Sequence, residues 1–298
     1  MEAQNNPKYL YHYTSIETFF KIITGKELWL FDSTTNYDKN ESSLVREKLD
    51  KIFKNEYNFE NYEEENLDDE DYSLSLTSEE DSFFHFHRYA GENTGVCICF
   101  DMEKIHSSLN NLYKLKTGQI LDVVSMFYQK EEELEELFKS ELNGILIKEN
   151  KEREENIKNI LSICYDWLYY KYNKIVKSVS YNIENEYRIY YNDLSVLLTL
   201  IHNSYNDNNE LDENKYNKLK ANGDRIDALL KFKKDYECVN GKIRKCCKIN
   251  IEPIMNKGII EKIIIGSKCK NTVEDIQSFL KGCNVYVDSI VLSKINID

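Results

Sequence analysis

Apolar segments of strand length recur along this chain of 298 residues, separated by amphipathic or highly charged stretches. That alternation admits few architectures. Tyr9 to Tyr13 is short and aromatic, as a strand would be. Thr14-Ser-Ile-Glu17 then reads as a capping box, a hydroxyl and a carboxylate meeting the exposed amides of a helix start. Ile16, Phe19, Phe20 and Ile23 share one side of the helix that follows, and Gly25 reads as its C-terminal cap. Glu27 to Phe31 returns as a strand. Tyr72 to Thr77 alternates with the period of two that marks a half-buried strand. Gly95 to Phe100, Leu121 to Tyr128, Glu186 to Tyr190, Lys242 to Ile251, Ile259 to Ile265 and Val285 to Leu292 extend the series. Helices are expected from Glu41 to about Asn58, Glu79 to Ala90, Met102 to about Lys116, and Thr272 to Leu280. The fold class is therefore α+β, built on a single core.

Two prolines and ten glycines mark no linker, so one domain is expected over residues 1–298. Three stretches stand apart within it. Residues 59–71 are acidic and poor in aliphatics, as a mobile loop would be. Residues 130–178 read as a helical insertion of two helices that break near Glu149 to Glu155. Residues 192–236 read as a second helical insertion.

The net charge of −13 repels phosphate backbones and anionic lipid at long range, which disfavours general nucleic-acid binding. No apolar run approaches the roughly 20 residues that span a bilayer. Eight cysteines would allow disulfides, but no secretory signal is read ahead of them. Cys97 and Cys99 alternate onto one strand face as small hydrophobes. The Cys246-Cys247 pair lacks the spacing of a zinc site. Free thiols in a reducing compartment, with a cytoplasmic location, are the expectation.

Signatures of P-loop, dinucleotide-fold, zinc-protease and α/β-hydrolase chemistry are absent. What remains is a set of polar residues at expected strand ends. His12 stands between two tyrosines, where a satisfied structural histidine would look the same. Glu184-x-Glu186-x-Arg188 places three charges on one strand face, with Ile183, Tyr187 and Ile189 on the other. Asn36, Asp38 and Glu41 suit a turn and helix cap better than a calcium site. His85 and His87 diverge if their segment is helical, so no metal is expected. Asp81-Ser82 reads as the cap of the helix that carries Tyr89.

Taken in order, Leu10-Tyr-His12-Tyr-Thr-Ser15, Asn36-Tyr-Asp38-Lys-Asn-Glu41, Ser75 with Asp81-Ser82, Tyr89, Gly95-Val-Cys97, Glu184-Asn-Glu186-Tyr-Arg188 and Ile263-Ile-Ile-Gly266 resemble the bacterial domain-of-unknown-function family 2971. The resemblance runs from Tyr9 to Ile295. That family usually carries Trp at the place of Phe86 and an aromatic such as Trp at the place of Tyr181. Its layout is in turn similar to ADP-ribosyltransferases of the His-Tyr-Glu type, which implies a split β-sheet core with helical insertions. Carried over, the resemblance implies His12 on the adenosine-side ribose of NAD, assisted by Tyr13 and Thr14. It implies Tyr89 stacked on nicotinamide, and Glu186 on the nicotinamide ribose with Glu184 as the rival carboxylate. Arg188 would pair a diphosphate or lock one of those carboxylates.

Cleavage of the nicotinamide–ribose bond passes through an oxocarbenium-like state that a nearby carboxylate stabilises. The implied activity is transfer of ADP-ribose from NAD to a macromolecule, or NAD hydrolysis. By resemblance the biological role would be that of a toxin or phage-defence effector, with a cognate inhibitor protein as one partner. The competing expectation is a non-catalytic sensor module that binds a nucleotide or a protein on the same fold. A third, an RNA- or DNA-directed modifier, runs against the acidic balance.

Overall fold

The computed structural model describes residues 7–32, 39–59, 72–113, 122–149, 157–191, 217, 233–239 and 241–295. All but the first residue of the expected loop at 59–71 and most of the insertion at 192–236 lie outside them, as does the turn at Asn36 to Asp38. Contacts divide the chain into two compact units. The first comprises residues 1–32, 70–124 and 184–298, and the second residues 33–69 and 125–183.

The first unit is α+β, with a central mixed sheet and helices. Its strands are β1 (Tyr9–Thr14), β2 (Glu27–Asp32), β3 (Tyr72–Thr77), β4 (Val96–Asp101), β5 (Asp122–Ser125), β8 (Glu186–Tyr191), β9 (Lys233–Val239), β10 (Lys242–Asn250), β11 (Ile260–Ile265) and β12 (Ser289–Leu292). They pair in the order β12-β11-β4-β1-β3-β2-β10-β9, with β8 between β3 and β5. The alternation of these short segments fixes which side chains face which layer. Leu10, Leu74, Leu76, Ile98, Phe100, Ile189 and Ile263 pack on one face against α1 (Ile16–Gly25), α4 (Met102–Tyr113) and α8 (Val273–Gly282). On the other face Tyr11, Tyr13, Cys97, Cys99 and Ile264 pack against Phe86 and Ala90, at α3 (Phe83–Tyr89) and its end.

One irregularity of pairing positions the site. β8 runs along one edge of β3 from Tyr72 to Thr77. The opposite edge is shared: Tyr72 and Ser73 pair with β2, and Thr77 pairs with Tyr11 of β1. Among the described strands, Leu74, Ser75 and Leu76 have neither β1 nor β2 opposite them. The sheet therefore parts between β1 and β2, and Ser75 is exposed at the parting.

The second unit packs α2 (Lys39–Tyr57), α5 (Glu131–Glu149) and α6 (Ile157–Tyr172) around Leu49, Phe53, Phe138 and Leu168, with a parallel pair β6 (Phe127–Gln129) and β7 (Val176–Ser178). Both helices expected within residues 130–178 are present, and α2 joins them in this unit.

Several boundaries differ from the pattern, each for a local reason. Ser15, not Thr14, caps α1: its hydroxyl accepts from the Thr18 amide, while Thr14 continues β1. Lys26 takes the left-handed C-cap conformation expected of Gly25. The strand expected over Leu121 to Tyr128 is two, β5 and β6, which pair in different sheets. Residues 233–236, expected as helix, begin β9, because pairing with β10 overrides a charged and helix-tolerant sequence. A short helix, α7 (Glu252–Met255), starts with Pro253 inside its first turn and was not expected. Glu184 ends a 3-10 turn (Val179–Glu184) and does not share the strand with Glu186. Ile183, expected to face the core, is 56% exposed.

Candidate functional site

Register decides which candidate side chains meet. Ser75 pairs with Arg188 and Thr77 with Glu186, and directly opposed residues project to one face. Thr77 also opposes Tyr11, so Tyr11 and Tyr13 project to the face of Glu186 and Arg188. His12 and Thr14 start from the other face by the same alternation. The imidazole of His12 sits at the parting of the sheet, where its Nδ1 donates to the Ser75 carbonyl at 3.1 Å. Desolvation holds this half-buried imidazole below its ordinary pKa. A neutral ring that donates through Nδ1 offers Nε2 as an acceptor. His12 therefore suits a hydroxyl donor through Nε2. Among the described residues it has no hydrogen bond to Tyr89, Glu184, Glu186 or Arg188.

Those four do gather, around the turn that opens β8. Asn185 adopts φ 40°, a left-handed conformation that lets the chain leave the 3-10 turn and enter the strand. The turn is tied from several sides. The Ser78 amide donates to the Asn185 carbonyl, and Thr77 Oγ1 donates to the Glu184 carbonyl at 2.8 Å. Asn185 Nδ2 donates to Glu79 Oε1 at 2.6 Å. Tyr89, 43% exposed at the end of α3, donates its hydroxyl to Glu184 Oε1 at 2.6 Å. Burial and the adjacent carboxylates Glu184 and Glu186 raise the Tyr89 phenol well above its ordinary pKa. It stays a donor across the working range.

Glu186 and Arg188 form an ion pair with both side chains almost wholly buried. Arg188 Nε donates to Oε1 at 2.7 Å and Nη2 to Oε2 at 3.2 Å, a two-pronged contact, and Nη1 donates to the Tyr190 hydroxyl at 3.4 Å. Of the two roles open to Arg188, locking a carboxylate is the one its geometry fills, and the carboxylate is Glu186.

The sequence offers His85 only as a metal ligand, which its helix disfavours. It is 3% exposed and braces the turn. Its Nε2 donates to the Glu184 carbonyl at 3.0 Å, which leaves Nδ1 to accept from Ser82 Oγ at 2.8 Å. The ring stacks on Tyr13 with centroids 5.1 Å apart. Tyr13 in turn donates to the Glu79 carbonyl and accepts from the Ser82 amide. Ser82 is the N-cap residue of α3, but its hydroxyl serves His85 instead of a helix amide. The ordered aromatic segment around Phe86 was the only signal in the sequence for this brace. Burial lowers the His85 pKa against the raising influence of the Glu184 carbonyl and nearby carboxylates.

Two glycines let these pieces close up. A Cβ on Gly95 would lie 2.1 Å from the Thr14 carbonyl oxygen, and one on Gly266 2.3 Å from that of Asn93. All eight cysteines are free. Among the described residues no group of three or more His, Cys, Asp or Glu is placed to hold a metal ion, and no helix is long and apolar enough to cross a membrane.

Neither a curated protein nor a solved structure matches the chain. A family model described as "Protein of unknown function (DUF2971)" matches residues 86–189, the stretch that carries Phe86, Tyr89, Glu184, Glu186 and Arg188, and over that stretch the chain is similar to that family.

Proposed function

We propose that the chain is an ADP-ribosyltransferase-like enzyme that consumes NAD, passing ADP-ribose to a macromolecule or to water. The observation that carries the reading is the cluster at the start of β8, where a half-exposed tyrosine ring is hydrogen-bonded to one carboxylate beside a second, buried one. The parting of the sheet between β1 and β2 supports it further, since His12 at that parting bonds the carbonyl of Ser75, the strand partner of Arg188.

In this reading Tyr89 offers its ring face to nicotinamide. The bond from ribose C1′ to the nicotinamide nitrogen breaks, and its electron pair leaves with neutral nicotinamide. Glu186, anionic in a water-poor setting, stabilises the cation left on the ribose. An acceptor atom or water then bonds to C1′ and loses a proton. The neutral Nε2 of His12 accepts from a ribose hydroxyl, with Tyr13 and Thr14 shaping its strand. By resemblance the role would be that of a toxin or defence effector held in check by an inhibitor protein.

Thermal unfolding with NAD, with ATP and without ligand tests the binding half of the proposal. NAD should raise the melting temperature and ATP should not, because a ligand that binds only the folded state stabilises it by mass action. No shift at millimolar NAD contradicts it.

The second reading, a non-catalytic nucleotide- or protein-binding module, draws on the engagement of Glu186 by Arg188, which resembles a structural pair. The substitution E186Q separates the two. Loss of turnover with NAD binding and folding retained favours the enzyme, and unchanged behaviour throughout favours the module.

A further inference from the structure

We infer that Arg188 is the positioning residue of Glu186, fixing both the charge and the direction of that carboxylate; the inference rests on the NAD-cleaving reading. Residues two apart on a strand point to one face with their Cα atoms about 6.6 Å apart. Arg188 bends back along that face to meet both oxygens of Glu186 through Nε and Nη2. The contact occupies two of the roughly four lone-pair directions of a carboxylate. What remains of the carboxylate faces away from the guanidinium, and so its direction is set before any ligand arrives.

Charge follows from the same contact. With side-chain exposures of 7% and 6%, neither member is bathed in water. A buried carboxylate without a cation takes up a proton, and a neutral acid is a poor partner for a ribosyl cation. Arginine does not deprotonate in a protein, so its guanidinium is a permanent counter-charge to Glu186. Lysine would supply the charge without the planar fork. Tyr190, which accepts from Nη1, holds the far side of the guanidinium. Titratable neighbours on the described elements include Glu184 on the turn and His85 and Tyr89 on α3. Both α3 groups are held neutral by burial, and the guanidinium meets Glu186 directly.

A double-mutant cycle on NAD cleavage tests the inference. In the wild-type background R188M should lower kcat about 100-fold, the scale of a misdirected catalytic group, with KM for NAD nearly unchanged. R188K should fall between the two, since it restores charge without direction. In the E186Q background R188M should cost nothing further, and removal of both charges should keep the double variant folded even where R188M alone is not. Multiplicative losses in the two backgrounds, or a matching rise in KM, would show that Arg188 acts on substrate directly and would overturn the inference. Absence of wild-type turnover would instead contradict the NAD-cleaving reading. Titration of the Glu186 carboxyl by carbon-13 NMR separates the two failures. R188K should move its midpoint upward relative to wild type, and identical midpoints would overturn the positioning role whatever the enzyme does.

Discussion

Tyr89 donates its hydroxyl to Glu184 Oε1 at 2.6 Å, joining the end of α3 to the turn before β8 across 95 positions of chain. A tyrosine in the last position of a seven-residue helix is thereby held in place although 43% of its surface is open. The bond orients the ring and draws the Glu184 carboxylate toward α3.

Removing that bond while keeping the ring should separate orientation from stacking. Y89F is expected to lower NAD turnover about 10-fold, equivalent to roughly 1.4 kcal/mol of barrier, and Y89A by considerably more. Steady-state nicotinamide release from the three proteins measures this. Equal activity of Y89A and wild type would remove Tyr89 from the site.

Acid should destabilise the fold through its histidines. Burial lowers the pKa of His12, His85 and His106 in the folded state. Below the unfolded value of about 6.5 the unfolded chain therefore binds more protons than the folded one. Stability is intact above that pH and declines as pH falls through it toward the lower folded values. Melting temperatures between about pH 7.5 and 5.5 should fall, and H85Q should flatten part of that slope. An H85Q profile parallel to wild type would mean that the brace titrates as it does in the unfolded chain.

Gly95 should tolerate no side chain. A Cβ there would meet backbone oxygens of Thr14 and Ala90 at 2.1 and 2.9 Å, and neither can swing aside as a flexible side chain would. G95A should lose about 1–3 kcal/mol or more of stability by denaturant titration, a typical cost of overpacking. G144A makes the contrast, since nothing lies within 4 Å of a Cβ at Gly144. It should be neutral or slightly stabilising.

Capping distinguishes two adjacent hydroxyls. S15A should cost about 1 kcal/mol by removing the acceptor of the Thr18 amide. T14V, which removes the hydroxyl and keeps the shape, should cost much less, because Thr14 lies in β1 and not at the helix start. A reversed ranking in chemical denaturation would return the cap to Thr14.

The strands of the site are legible because short apolar and aromatic runs bounded by turn residues look alike in any context. Tyr72 to Thr77 was read to the residue, and β1, β4 and β8 to within one position at each end. The partners of those strands were not legible. Only the observed register shows that Glu186 shares a face with Tyr11 and Tyr13 while His12 starts from the other, at the parting of the sheet. Alternation counted back through Glu184 failed because Asn185 breaks the strand with a positive φ. His85 was missed because its role depends on a carbonyl 99 positions away. The capping box at Thr272 passed unread because it is closed by Asp275, a shorter acid than the glutamate or glutamine of the usual pattern. Local periodicity writes the elements, and long-range pairing writes the site.

Nicotinamide release from NAD by purified wild-type protein and by E186Q is the most direct measurement of the central claim. Wild type should release nicotinamide, with or without added macromolecular acceptor. E186Q should lose about 100-fold or more in kcat while NAD still raises its melting temperature. No release by wild type with any acceptor offered, or equal release by E186Q, would contradict it.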